Sequence, residues 1–482
     1  MATEKASKSE QVRSRLDHPV IDADGHIVEL TPVLVDYVRQ VGGTAMADRY
    51  GRPQSADRGD AGSYRAAGIL GGMQERRDNW VPMGGWGAPK NTLDRATAAA
   101  PRLLAQRLDE LGTDFAVLYP SQGLAAAAID DAELRKVACR AYNTFAMDVT
   151  KEFADRMTPV ATIPMHTPAE AVDELDHAIK TLGFKAVSLQ ASIRRPIPGR
   201  AASRLELFAL DSDYDYDEVW AKCTELKVAP AFHSIVQGMG ADSVSNYVYN
   251  HIGLLAVAHL TVCKALFMGG VTRRFPDLNF AFLEGGVAWA SALYSDLFSH
   301  WEKRNGKAIR DLDPANLDGD LMMRLLREHG HERMVARAEE IRAFLERKPS
   351  REPPDDFAAC GIERPEQIRD LFIPSFYFGC EGDDPTNAMA YNRSANPYGE
   401  ALRTIFGSDI GHWDVVTMNE VLAEAYEMVE RGAMTEADFR DYVFTNPVRL
   451  HAGVNPAFFK GTRVEDEVAR LLAAGGRHGT AP

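Results

Sequence analysis

A (β/α)8 barrel is the fold class this sequence predicts, and three observations predict it. Short apolar runs recur eight times along the 482 residues, stretches of helical periodicity separate them, and most runs end in a polar or charged residue. Continuous apolar runs of this kind mark parallel strands buried on both faces. An open doubly wound sheet is the competing arrangement. It usually opens with a GxGxxG turn, whereas the first run here ends in DADGH.

Residues 1–17 are polar and read as a disordered leader. The first strand is PVIDADGH (19–26). Residues 40–95, rich in Gly, Pro, Arg and Asp, read as a lid-like irregular excursion. The amphipathic run RLLAQRLDELG closes on Gly112 and precedes the second strand, DFAVLYP (114–120). A helical stretch over 131–155 precedes MTPVATIPMH (157–166). PAEAVDELDHAIKTLG, closed by Gly183, precedes FKAVSLQA (184–191). DYDEVWAKCTELK precedes VAPAFHS (228–234), and a helix within 251–270 precedes LNFAFLEGG (278–286). A charged, helical insertion over 300–372 separates the sixth and seventh strands and suits substrate cover or dimer contact. SFYFGCEGDD (375–384) and LRTIFGSDIGH (402–412) complete a barrel spanning 18–460. Residues 461–482 read as a peripheral Ala/Gly-rich tail.

Composition narrows the function. Hydrophobic residues make up 45% and charged residues 26%, as in ordinary globular proteins. A net charge of −15 disfavours a nucleic-acid partner, because phosphates attract basic surfaces. No apolar run approaches the roughly 20 residues that a membrane span needs, and the N-terminus lacks the apolar core of a signal peptide. The five cysteines are scattered without a CxxC, which fits a reduced, cytoplasmic enzyme.

In a barrel of this class, functional side chains sit on one rim, at the C-terminal ends of the strands. The predicted strand ends carry Asp24 and His26, then Ser121 and Gln122, then His166, Gln190, His233, Glu284, Glu381 with Asp383, and Asp409 with His412. Asp24 and His26, two residues apart on a strand, share a face and can bind one ion. Carboxylate and imidazole donors suit zinc, iron or manganese. Asp22 lies deeper on that face and reads as a supporting hydrogen-bonding group. Glu29, just past the strand, reads as a metal ligand, a base or a helix cap. His251 and His259 are candidates for a second ion. On one straight helix they would stand about 12 Å apart, so either one alone is a ligand or Gly253 breaks the helix. Arg194 and Arg195 follow the fourth strand and suit the phosphates of an anionic substrate as well as a solvated loop. With His166 they form the candidate substrate contacts.

The blocks VIDADGH, AFHS, RFPDLNFAFLEGGVAW, FGSDIGHWD and DFRDYVFTNPVRL resemble the amidohydrolase-related, metal-dependent TIM-barrel family, which includes hydrolases and decarboxylases. The resemblance runs from about residue 18 to 452. It implies a metal held by Asp24, His26, His233, Glu284 and Asp409, with Asp24 and Glu284 in slots where relatives carry histidine. The strand-4 lysine of some relatives has no counterpart, since Gln190 stands there. Two carboxylates in histidine slots favour iron over zinc or manganese. The likeness is nearest to a branch of nonheme diiron monooxygenases that includes a hydroxylase of platensimycin and platencin biosynthesis. That branch implies two irons, dioxygen, an electron donor, an acyl, terpenoid or CoA-ester substrate, and a homodimer. Asp409, His412 and Glu29 would handle protons. A metal-dependent hydrolase or non-oxidative decarboxylase is the alternative.

Overall fold

The computed structural model describes residues 6–51, 91–200, 202–234, 243, 246–347 and 355–474. Eight strands stand side by side in sequence order: β1 (Ile21–Ile27), β2 (Phe115–Pro120), β3 (Met157–Ile163), β4 (Ala186–Leu189), β5 (Pro230–Phe232), β6 (Phe280–Phe282), β7 (Phe376–Glu381) and β8 (Arg403–Gly407). Every adjacent pair is parallel. Intervening helices cover the outer face, which is why nearly every strand residue is buried. The predicted (β/α)8 barrel is the observed fold.

Aromatic side chains fill much of the barrel wall. Phe232 and Phe282 stack at 5.4 Å, and Phe282 and Phe378 at 6.2 Å. Each fully buried Phe contributes about 1.5–3 kcal/mol of burial.

The barrel closes where β8 meets β1. The Asp409 backbone N–H donates to the Asp24 carbonyl at 2.9 Å. The Ser408 N–H and hydroxyl donate to the two Asp22 carboxylate oxygens at 3.0 and 2.6 Å. Asp22 therefore ties the seam, and burial, against the Ser408 hydrogen bonds, lifts its pKa to about 6. Between Asp22 and Gly25, β1 carries one residue more than β2 opposite it. A bulge of this kind re-aims side chains beside a site, and here it spans Ala23 and Asp24.

Outside the barrel, three expectations change. The leader is not disordered in its described part. Lys8–Arg13 is a helix capped by the Ser7 hydroxyl, with Val12 buried. Arg13 pairs with Asp114 at 2.5 Å, which pins the helix to the start of β2. Residues 40–51, expected to be irregular, are helical on both sides of a kink at Gly43 (φ 80°) within Thr31–Gly51, where Leu34, Val38, Met46 and Ala47 are buried. Residues 91–95 are the cap and first turn of a helix, Thr92–Ala99, and the remainder of the expected lid, 52–90, lies outside the described residues. Finally, one stretch, Val248–Met268, does have the length and apolarity of a membrane span, though half of its most apolar part is buried in the fold. Gly253, at φ 76°, interrupts it.

Between β6 and β7 the chain forms helices Ala288–Arg304, Gly319–His329, Glu332–Ala336, Ala338–Leu345 and Glu366–Phe372. After β8, the helix Glu465–Ala474 buries Val468, and residues 475–482 lie outside the described set.

Candidate metal centre

The C-terminal rim gathers side chains from β1, β5, β6, β7 and β8. Asp24 and His26 come from β1. His26 is fully buried, and its Nδ1 lies 3.2 Å from the Pro120 carbonyl. A ring nitrogen facing a carbonyl must carry the proton, so Nδ1–H donates and the Nε2 lone pair faces the rim. That Nε2 lies 3.1 Å from Asp409 Oδ1 and 3.8 Å from Asp24 Oδ1. His233, just beyond β5, places Nε2 3.6 Å from Asp24 Oδ1 and 3.1 Å from Glu284 Oε2. His412 follows β8 and places Nδ1 2.7 Å from Asp409 Oδ1.

These short distances lack the angles of hydrogen bonds. Asp24 Oδ1, His26 Nε2, both His233 nitrogens and both Asp409 oxygens are buried without a hydrogen-bond partner. Buried polar atoms in proteins are almost always satisfied. A set left open, converging on one place and made only of oxygen and imidazole nitrogen, fits a divalent cation. Asp24, His26 and His233 each bring one donor atom within 4.8 Å of the others, and so do His26, Glu284, Asp409 and His412.

Electrostatics agree. Burial pushes Asp24 up to about 8, with Glu284 and Asp22 adding and His233 opposing. Burial also lifts Asp409 well above the usual carboxylate range, helped by Glu284, Asp414 and Glu381. Burial holds His26 well below the ordinary histidine range. For His233, burial is outweighed by Asp24 and Glu284, so its pKa rises. A bound cation reverses the cost of ionising the carboxylates.

The structure therefore brings together Asp24, His26, His233, Glu284, Asp409 and His412. It separates His251 from His259. Gly253 ends the short helix Tyr247–His251, and His251 joins Glu284 and Asp414. His259 lies in the next helix, Leu254–Met268, fully buried against Phe282 and Trp289 at 5.8 and 6.4 Å. Among the described residues it joins no metal-binding group, so its reading as a ligand is corrected. Burial holds it neutral, with a pKa lowered to about 3.

Glu29 is corrected too. Its carboxylate accepts the Gln122 N–H at 2.7 Å and the Gly123 N–H at 3.2 Å, capping the turn after β2. It is committed to backbone and lies outside the described metal groups. Arg195 lies in a small antiparallel hairpin, Arg194–Pro196 with Ser203–Leu205. It donates to Glu206 at 2.8 Å, to the His166 carbonyl at 2.6 Å and to the Tyr216 hydroxyl at 2.9 Å. With its guanidinium occupied in this way, Arg195 is a hairpin brace and the expected phosphate contact loses its main support. Arg194 is exposed on the same hairpin. His166 is half-buried beside it, held near pKa 3 by burial and the two neighbouring guanidiniums, Arg135 and Arg195.

Asp414 and Tyr119 were not predicted for the rim, and Glu381, predicted at a strand end, was not among the predicted ligands. Glu381, at the end of β7, and Asp414, past His412, complete a carboxylate group with Glu284 and Asp409. Tyr119 on β2 is fully buried, lies 5.7 Å from the His233 ring, and has an unpartnered hydroxyl. Glu381's position at a strand end was a usable signal. Asp414 sits in a loop that no periodicity marks.

The model of the family described as Amidohydrolase matches residues 21–335. The chain belongs to this family. Among solved structures, it is similar to a dihydroxybenzoic acid decarboxylase from Polaromonas sp. JS666 with bound manganese and the inhibitor 2-nitroresorcinol. Identity is 14%, coverage is 90% of this chain and 97% of that one, and the TM-score is 0.50. It is also similar to the Metarhizium anisopliae IDCase in apo form, at 13% identity, 92% and 98% coverage and a TM-score of 0.51. These findings overturn the monooxygenase expectation. The family is that of amidohydrolases, and the neighbour with bound metal is a manganese decarboxylase. The dioxygen, electron-donor and diiron expectations fall with it. The physical reason is that carboxylate and imidazole donors accept manganese and zinc as readily as iron, so donor type alone carries no redox information.

Proposed function

We propose that this member of the amidohydrolase family is a divalent-metal-dependent enzyme that releases CO2 from a small carboxylic acid without oxidation. The observation that carries the reading is the buried, unpartnered set of Asp24, His26, His233 and Asp409. The likeness to a manganese decarboxylase supports the reaction type. Hydrolysis of a small amide or ester is the second reading, favoured by the family's description.

Asp24, His26 and His233 would hold the cation, manganese or zinc. When bound, it supplies Lewis acidity and fixes an anionic substrate group. The remaining work falls to side chains. The Pro120 carbonyl fixes the His26 ring, so Nε2 needs no reorientation. Burial of the rim residues excludes bulk water, which strengthens every charge interaction there. Loss of CO2 breaks a carbon–carbon bond and leaves its electron pair on carbon, which must then take a proton. Asp409 Oδ1 and His412 Nδ1, 2.7 Å apart, are the titratable groups placed to supply it. The Ser121 hydroxyl, 3.2 Å from His412 Nε2, fixes the imidazole from its other side.

The test is CO2 release from a panel of hydroxybenzoic acids by chelator-treated protein, before and after adding Mn²⁺, in air and under argon. The expected result is release that requires Mn²⁺ and proceeds equally without oxygen. Full activity after metal removal, or turnover only of amide or ester substrates, overturns it.

A further inference from the structure

An acid substrate needs a contact for its carboxylate beside the metal ligands, and the arginine expected to supply one is spent. Arg195 is held by Glu206, the His166 carbonyl and the Tyr216 hydroxyl. Its neighbour Arg135 donates to Glu170 and to the carbonyls of Ile129 and Asp130.

Tyr119 stands where such a contact is needed. In the register of β1 and β2 it pairs with His26, so the two side chains leave adjacent strands at one level. Its ring centroid lies 5.7 Å from that of His233, with the planes tilted by 37°. Tyr119 thus packs against one proposed metal ligand at the level of another. The side chain is fully buried, and its hydroxyl has no hydrogen-bond partner. Burial, with the Asp24 charge adding, holds the phenol well above its usual range, so the hydroxyl keeps its proton and is a donor.

Packing does not account for that hydroxyl. The barrel wall is filled by phenylalanine at Phe232, Phe282 and Phe378, and a phenylalanine would fill this place as well. A buried hydroxyl that donates to nothing is costly, and buried polar groups are almost always satisfied. Around it, Asp24 Oδ1, His26 Nε2 and both His233 nitrogens are unpartnered too. Tyr142 is the contrast. Its hydroxyl is also buried and unpartnered, but it lies on the outer helix Ala132–Thr150, and the charge acting on it is Glu29, which is committed to backbone N–H groups.

The chemistry favours a neutral donor at this place. When CO2 is lost, the carboxylate starts with a full negative charge and leaves as a neutral molecule. A guanidinium or ammonium paired with it would stabilise the starting state more than the transition state and raise the barrier. A hydroxyl orients the carboxylate without adding a counter-charge.

We propose that the Tyr119 hydroxyl donates a hydrogen bond to the substrate carboxylate and selects an acid at this site. The inference deepens the proposed function and rests on it for the reaction that follows binding.

The experiment titrates the Mn²⁺-loaded full-length chain, by calorimetry, with 2-hydroxybenzoate and with phenol, its counterpart without a carboxylate. Wild type is expected to bind the acid more tightly. Tyr119→Phe is expected to lose on the order of tenfold in affinity for the acid, the effect of one hydrogen bond to a charged group, and to bind phenol as wild type does. Tyr142→Phe is expected to match wild type with both ligands. In turnover of an acid, Tyr119→Phe should raise KM and leave kcat undiminished. Its metal-free melting temperature should equal or exceed that of wild type, because an unpartnered buried hydroxyl is removed. That readout separates a lost contact from a lost fold. A Tyr119→Phe that binds the acid as wild type does, or that loses acid and phenol equally, overturns the assignment. So does a wild type that does not prefer the acid. Acid-selective binding that depends on Tyr119, without CO2 release from any acid, overturns the proposed reaction and leaves this contact standing.

Discussion

Replacing Asp24 by asparagine should stabilise the metal-free protein and forfeit the stabilisation that metal binding supplies. Burial lifts the folded-state pKa of Asp24 from 3.8 to about 8. The folded chain therefore keeps a proton that the unfolded chain releases above about pH 4. Such a group contributes its full stability only below the unfolded value, and that contribution is lost as pH rises towards 8. By pH 7 the loss covers about three pH units, or about 4 kcal/mol at 1.36 kcal/mol per unit. Asparagine is nearly isosteric and does not titrate, so it escapes the loss. With an unfolding entropy of about 2.1 cal/mol/K per residue, a chain of 482 residues shifts by roughly 4 °C for that energy. Differential scanning calorimetry in EDTA should show Asp24→Asn equal to wild type at pH 4 and higher by roughly 4 °C at pH 7. With Mn²⁺ at about a thousand times its dissociation constant, wild type gains about 4 kcal/mol that the variant lacks, which cancels the difference. A metal-free Asp24→Asn that melts below wild type at pH 7, or a difference independent of pH, refutes the argument.

Two further outcomes separate structural from functional groups. Arg195→Ala leaves Glu206, which is fully buried, without its ion pair. It should cost about 3–5 kcal/mol in urea denaturation, while KM for an anionic substrate stays unchanged in the folded fraction. Glu29→Ala strips acceptors from the buried turn at Gln122 and Gly123. It should destabilise by about 1–3 kcal/mol and leave Mn²⁺ stoichiometry and the pH profile of kcat as in wild type.

Much of this was legible in the sequence, because a barrel rim is ordered by strand ends. Asp24, His26, His233, Glu284 and Asp409 each stand at or just past an apolar run, and the structure gathers all of them. Where periodicity gave no guide, the reading failed. His251 and His259 sit in one apolar stretch of uniform composition, and only the backbone at Gly253 decides which of them reaches the rim. Glu29 and Arg195 looked like site residues by type and position. Their partners, two backbone N–H groups and a buried glutamate, come from segments distant in sequence. The polar leader concealed a helix because its anchors, Ser7 to the Glu110 carbonyl and Arg13 to Asp114, are likewise long-range. The chemistry was misread for another reason. A carboxylate in a histidine slot changes charge, and charge alone does not choose between redox and Lewis-acid metals.

Closing the barrel and building the site are one event in this chain. The seam hydrogen bond runs from the Asp409 N–H to the Asp24 carbonyl, so the two strands that meet there each deliver a carboxylate to the same point. Asp22 draws Ser408 in beside them, and a Cβ at Gly407 would stand only 2.9 Å from Asp24 Cβ, so the close approach requires glycine. The seam thus forces together Asp24 and Asp409, groups that repel when ionised, and holds Asp409 at φ 47°. Without a cation, those costs fall on the closure itself. With one, the same carboxylates become ligands across the seam, and metal binding is coupled to barrel closure by linkage. The metal should therefore protect amides of β1 and β8 from hydrogen exchange more than those of β3 and β4, which lie away from the seam.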